Sequence, residues 1–202
     1  MKTIGLVGGV SWESSKDYYR IINEEVARRY SAILEERLRG SDLRQIGGGE
    51  PRRLTQSQGI DTEAAFSPDG RSIYFVSDRG GAPQIYRMPA GGGTAERVTF
   101  AGAYNISPAP SPDGRWLAYV SRINGAFKLQ VMELTTGTVT SITDSSADES
   151  PSFAPNSRLI VYATQYQGRE ALMTTTLDGR IKARLAGQDG DIREPSWGPF
   201  PK

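Results

Sequence analysis

The chain has 202 residues, 24 Lys plus Arg against 23 Asp plus Glu, a net charge of +1, and neither cysteine nor histidine. Disulfides, thiolate nucleophiles, Cys/His zinc sites and a Ser-His-Asp triad are therefore excluded, and balanced charge leaves no electrostatic footprint for nucleic acid. No apolar run reaches the roughly eighteen residues that a membrane-crossing helix needs, whereas 23 Gly and 12 Pro call for many turns.

From the amino terminus, "TIGLVGGV" (Thr3–Val10) predicts a buried parallel strand that enters a Gly-rich turn. Ser11 then caps a long α-helix, with Glu13 in its first turn. Tyr19, Ile22, Val26, Tyr30, Ile33 and Leu38 form the apolar stripe, and Glu24–Arg28 and Glu25–Arg29 are favourable pairs one turn apart. The helix is expected to reach about Arg39 and stop at Gly40. The apolar run Ile4–Val10 is followed at once by Glu13 and Lys16 and lacks an A-x-A cleavage site, so it does not read as an export signal. As written, the chain is expected to stay cytoplasmic. The opening "MKTIGLVGGVSWESSKDYYRIINEEV" resembles the start of the aspartate/glutamate racemase family. That resemblance would set Gly8, Gly9, Ser11, Trp12 and Glu13 beside a substrate carboxylate. The family's chemistry uses two opposed cysteines, which this chain lacks, so the segment reads as a strand-and-helix fragment without catalysis.

Beyond it the sequence repeats. Pro68, Pro112, Pro155 and Pro199 stand 44, 43 and 44 residues apart, in "FSPDG", "PSPDG", "FAPNS" and "WGPFP". Aliphatic–Thr pairs at Leu54/Thr55, Val98/Thr99 and Ile142/Thr143 keep the same period. Each period holds four short strand patterns: one near Glu63–Phe66, then "RSIYFVSD", "PQIYRMP" and "AERVTF". Asp69-Gly70 and Asp113-Gly114 supply the first tight turn, and Gly80-Gly81, Asn124-Gly125 and Gln167-Gly168 the second. Four strands in about 44 residues are the unit of a β-propeller blade. Complete blades are predicted over 61–100, 105–144 and 148–187, with the last strand of an earlier blade at 50–56 and the first strand of a later one at 192–198. The fold class is thus mainly β: an incomplete propeller of about three and a half blades behind an N-terminal strand and long helix. Open propeller edges and the helix's apolar stripe both invite self-association.

Residues 45–202 resemble the TolB family, propeller proteins of the Tol-Pal envelope system. The resemblance rests on "GGGEPRRLTQSQGIDTEAAFSPDGRSIYFVSDRGGAPQIYRMPAGGG", "DESPSFAPNS", "YATQ", "DGRIKARL" and "DIREPSWGPF". It divides the chain at residues 1–44 and 45–202. It implies a non-catalytic, periplasmic, protein-binding role in outer-membrane integrity and cell division, with a Pal-like lipoprotein and other Tol-Pal components as partners and no cofactor. The partner would meet the loops that join one blade to the next: Asp61, Thr62 and Glu63; Tyr104 and Asn105; Asp148 and Glu149; Arg193 and Glu194. Two alternatives accompany this reading, an inactive racemase fragment and the propeller module of a prolyl oligopeptidase-type peptidase. No G-x-S-x-G elbow supports the latter. Asp144, Asp148 and Glu149 lie close in sequence but lack calcium-loop spacing and are expected to form a solvated turn, not a metal site.

Overall fold

The computed structural model describes residues 52–185 and 193–198, together with the backbone of two short strands near 33–35 and 44–46. The strands in chain order are β1 (Ile33–Glu35), β2 (Arg44–Ile46), β3 (Arg52–Arg53), β4 (Asp61–Phe66), β5 (Ser72–Ser77), β6 (Gln84–Pro89) and β7 (Glu96–Arg97). They continue with β8 (Asn105–Pro110), β9 (Trp116–Ile123), β10 (Ala126–Glu133), β11 (Val139–Ser141), β12 (Glu149–Phe153), β13 (Leu159–Tyr166), β14 (Arg169–Thr176) and β15 (Lys182–Arg184). Three four-stranded antiparallel sheets follow one another, β4–β7, β8–β11 and β12–β15, each with its strands in sequence order. These are the three predicted blades. A three-stranded sheet, β1–β2–β3, precedes them.

The first turn of each blade is closed by its own side chains. In the first blade the Ser67 hydroxyl donates to Asp69 Oδ1 at 2.6 Å and accepts from Ser72 N at 2.9 Å, while Arg71 N donates to the same Asp69 oxygen at 3.1 Å. These bonds hold the Asp69 carboxyl below its ordinary range, the Ser67 hydroxyl contributing most. Ser111, Asp113, Arg115 and Trp116 repeat the pattern in the second blade. Gly70 and Gly114 take φ of 68° and 72°, as the turn requires. The third blade puts Ser157 at the same place with φ 58°, and its Oγ accepts from Asp113 N at 3.0 Å, tying one blade's turn to the next. A fourth copy of this turn joins β14 to β15, where Thr176, Asp178, Gly179 and Arg180 reproduce the bonds.

The core lies between the blades. The middle strand β5 alternates Ile73 and Phe75 against Tyr74, yet both sets are buried. Ile73 and Phe75 pack with Leu54, Tyr86 and Met88 on one face, while Tyr74 packs with Ile85, Leu117, Tyr119 and Met132 of this and the next blade. A third cluster joins Val120, Leu129 and Val131 to Phe153, Ile160 and Tyr162. Each large side chain buried this way contributes roughly 1.5–3 kcal/mol. Burial pushes the Tyr119 hydroxyl up to about 12 and raises that of Tyr162 further, so both stay neutral.

Most of the predicted helix lies outside the described residues; Ile33–Glu35, towards its expected end, is extended and pairs with Arg44–Ile46. Residues 193–198 carry no strand pairing of their own, because a strand exists only through its neighbour's ladder; Trp197 N instead donates to Ser152 Oγ at 3.1 Å. Residues 50–56 are expected to hold the last strand of an earlier blade, and within them Arg52–Arg53 form β3, the last strand of the preceding sheet, paired with β2.

Candidate functional site

Strand direction brings the loops between blades to one end. Asp61 at the start of β4 faces Ser77 at the end of β5, and Ser77 faces Gln84 at the start of β6. The loops at 56–60, 78–83 and 100–104 therefore share one mouth, while the Asp-Gly turns lie at the opposite end. The first strand of each blade bends at this mouth. Register slips between Thr62 and Ala65, Ile106 and Ala109, and Glu149 and Ser152. At each bend one residue adopts left-handed backbone: Glu63 (φ 51°), Ser107 (54°) and Ser150 (51°), with Glu194 (50°) continuing the period. Such a bulge re-aims side chains along an inner strand. Glu63 uses it to reach the neighbouring blade, where its Oε2 accepts from Ser107 N at 2.6 Å.

The nine predicted mouth residues separate into two sets. Asp61, Asn105 and Asp148, one per blade, are buried and engaged within the chain. Asp61 pairs with Arg79 at 2.8 Å, and that guanidinium lies 5.1 Å from the Phe75 ring centre and 5.0 Å from that of Tyr86. Asn105 donates to Gln84 Oε1 at 2.7 Å and to Ala101 O at 2.8 Å. Asp148 accepts from the hydroxyls of Thr143 and Ser145, from Thr164 Oγ1 at 2.7 Å and from Leu129 N at 3.2 Å. The expected solvated acidic turn is thus corrected at Asp148: ring-wise packing buries it, and hydroxyls occupy both its oxygens. Asp144 stays exposed and pairs with Lys182 at 2.9 Å. Among the described residues no group of three or more metal-ligating side chains forms. The aliphatic–Thr signature now has its reason, because Thr99 and Thr143 accept from the backbone N–H of Ile85 and Leu129 in the third strand of their own blades. Thr143 also donates to Asp148 at the next blade's entry, whereas Thr99 donates to Gln84 Oε1, which accepts in turn from Asn105 of the next blade.

Thr62, Glu63, Tyr104, Glu149, Arg193 and Glu194 reach the surface wholly or in part. The Tyr104 ring meets Phe127 edge-on at 6.0 Å, and Arg122 lies 5.9 Å over Phe127. Glu149 has its carboxyl raised, first by partial removal from water and then by Glu170 and Glu194, with Arg193 opposing. Arg193 Nη2 lies 3.3 Å from Glu170 Oε1. Glu170, Phe127 and Arg79 were not read from the sequence, although they flank the second turns "QG", "NG" and "GG". Those turns lie at the same mouth as the interblade loops, and this placement was the signal available. Ile60 and Phe100, 57% and 75% exposed, add apolar surface from the interblade loops.

Comparison with known proteins agrees with this architecture. Residues 43–201 match the family described as PD40, TolB beta propeller domain. The Tol-Pal system protein TolB of Bordetella pertussis is 60% identical over 154 residues, covering 76% of this chain and 35% of that protein. Its counterpart in Albidiferax ferrireducens is 82% identical over 63 residues, 31% of this chain and 15% of that protein. The chain thus spans about a third or less of the length of these curated relatives. The crystal structure of TolB from Acinetobacter baumannii superposes with a TM-score of 0.75 at 39% identity, covering 83% of this chain and 43% of that one. A puromycin-hydrolyzing peptidase of Mycobacterium tuberculosis gives 0.64 at 18% identity, covering 78% of this chain and 28% of that one, a likeness of fold alone. The racemase resemblance falls on residues 1–30, before the matched region and outside the described residues. With three blades of matched turns and latches, and a family match over most of its length, the chain belongs to the TolB β-propeller domain family.

Proposed function

We propose that the chain is a non-catalytic protein-binding propeller of the Tol-Pal system, whose mouth takes a Pal-like lipoprotein in the periplasm and so serves outer-membrane integrity and cell division. The observation that carries this is the 60% identity with a Tol-Pal system protein over the blades that bear the mouth. Geometry supports it: Thr62, Glu63, Tyr104, Glu149, Arg193 and Glu194 come to one end, while Asp61, Asn105 and Asp148 brace them from beneath. In this reading residues 45–202 are the binding unit and residues 1–44 a separate segment. Tyr104 is the anchor, since a half-buried aromatic edge can bury more area with little loss of freedom. Glu63, Glu149, Arg193 and Glu194 set orientation and charge complementarity.

The test is a calorimetric titration of the full chain with a soluble Pal-like lipoprotein domain. Weak binding is expected, because the chain spans about a third of the length of the Tol-Pal relative it matches. Tyr104→Ala should lower affinity by about tenfold, on the order of 1.4 kcal/mol, and Glu149→Lys should slow association and alter its salt dependence. Absence of binding at millimolar concentration, or binding indifferent to both substitutions, would overturn the proposal.

A further inference from the structure

We infer that Asn124 is a self-modification site, a mouth residue whose carboxamide converts to a carboxylate through attack by the backbone nitrogen of Gly125. The chain contains four asparagines, at 23, 105, 124 and 156, and only Asn124 precedes a glycine. Asn124 and Gly125 form the two-residue tip between β9 and β10, flanked by the facing pair Ile123 and Ala126. Both are exposed, and a Cβ built on Gly125 would meet no atom within 4 Å. Among the described residues neither the Asn124 carboxamide nor the Gly125 N–H has a hydrogen-bond partner. The nucleophile and the electrophile are therefore adjacent, solvated and free.

The other turns show what restraint looks like. In Asp69-Gly70, Asp113-Gly114 and Asp178-Gly179 the glycine N–H donates to Ser67 O, Ser111 O and Thr176 O at 2.8–2.9 Å. Their carboxylates are taken by a hydroxyl and a backbone N–H as well. Asn156 is held likewise: its Oδ1 accepts from Arg158 N at 3.0 Å, and Ser157 N donates to Ala154 O at 2.8 Å. Asn105 is buried. Gln167-Gly168, the corresponding tip of the third blade, has one more methylene, so the same attack would close a six-membered ring, a slower reaction.

The step balances with water alone. Base removes the Gly125 amide proton, the nitrogen bonds to Asn124 Cγ, and the Cγ–N bond breaks to release ammonia. Water then opens the cyclic imide at either carbonyl, leaving aspartate or its isomer with the backbone routed through the side chain. Left-handed φ at Asn124 (51°) means that closure proceeds from opened conformers of the tip, which the exposure of both tip residues favours. The product places a negative charge beside Arg122, at the hairpin that carries Phe127 against Tyr104. An effect on partner capture rests on the function proposed above; the conversion itself does not.

The experiment incubates the purified full chain in mildly alkaline buffer and maps peptides by mass spectrometry, with isoaspartyl methyltransferase labelling of the isomer. Asn124 should convert at least about tenfold faster than Asn156 in the folded chain. Asn124→Gln should abolish conversion while keeping the turn, since Gln167 holds the same left-handed position (φ 53°) in the third blade. If Asn124 converts no faster than Asn156 when folded, whether or not it converts in urea, the inference fails. Titration of aged against fresh chain with the Pal-like domain is read separately, so failure of binding and failure of conversion are distinguishable.

Discussion

Three glycines with nearly the same backbone but different surroundings allow strain and crowding to be separated. Gly114, Gly137 and Gly179 have φ of 72°, 72° and 68°. A Cβ on Gly137 would meet nothing within 4 Å, and one on Gly114 would lie 3.5 Å from Pro68 Cγ, an ordinary contact. Alanine at either position should thus cost only the left-handed backbone term, about 1–2 kcal/mol. On Gly179 the same atom would lie 2.5 Å from the carbonyl oxygen of Ile142 and 2.9 Å from its Cα. Those atoms are backbone at a fully buried residue whose N–H donates to Leu129 O, so they cannot swing aside as a side chain would. Moving them adds an overpacking cost of roughly 1–3 kcal/mol, for a total of about 2–5 kcal/mol. The assay is guanidinium denaturation followed by tryptophan fluorescence and far-ultraviolet dichroism together, since coincident curves are needed before a repeat protein's midpoint is converted to free energy. Gly137→Ala serves as the strain-only reference. A Gly179→Ala variant within about 0.5 kcal/mol of it would refute the packing of the β14–β15 turn against the end of the second blade.

Asp148→Ala should cost about 3 kcal/mol, because it strips the acceptor from two buried hydroxyls, a half-buried one and a backbone N–H, whereas Asp144→Ala, which breaks only an exposed pair, should cost far less; denaturation of both variants checks the contrast. Glu149 has a folded-state pKa above its ordinary 4.5, so its proton favours the native chain. That contribution is complete below 4.5 and fades as pH rises through the folded value, and Glu149→Gln should flatten the wild-type decline in stability across that window when denaturation is repeated as a function of pH. Arg79→Lys keeps the charge opposite Asp61 but gives up the planar face over Phe75 and Tyr86; a loss of about 1 kcal/mol is expected by thermal denaturation, and a neutral outcome would show that the stacking contributes nothing.

Much of the architecture was legible because a propeller blade is written locally. The 44-residue period, the alternation in "RSIYFVSD" and the Asp-Gly pairs each reflect short-range physics: side-chain direction in a strand, and the left-handed backbone that a tight turn needs. The tight turns at Asp69-Gly70 and Asp113-Gly114 follow from that alone, and both glycines adopt the positive φ such a turn needs. Ser157 shows the limit of the rule, for it occupies the glycine's place with φ 58° because its hydroxyl serves the neighbouring blade's turn. The turn at Thr176–Ile181 carries the same Asp-Gly-Arg phrase but lies outside the 44-residue series, since it joins a different pair of strands.

By itself, then, the sequence determined the repeat, the strand count of each blade and the chemistry of its tight turns, all of which depend on residues within a few positions of one another. Only the tertiary structure decided which acidic residues face a partner. Asp61 and Glu63 are two positions apart and chemically alike, yet one is sealed beneath Arg79 while the other reaches across to Ser107 of the next blade. The same holds for Asp148 and Glu149, adjacent in the chain but divided between a buried hydroxyl cage and a surface carboxylate raised first by partial removal from water. A strand turns successive side chains to opposite sides, which divides Asp148 from Glu149, whereas Asp61 and Glu63 would share a side but for the left-handed bend at Glu63. Which side is covered depends on the packing of one blade against the next, a contact between residues some forty positions apart that no local pattern encodes.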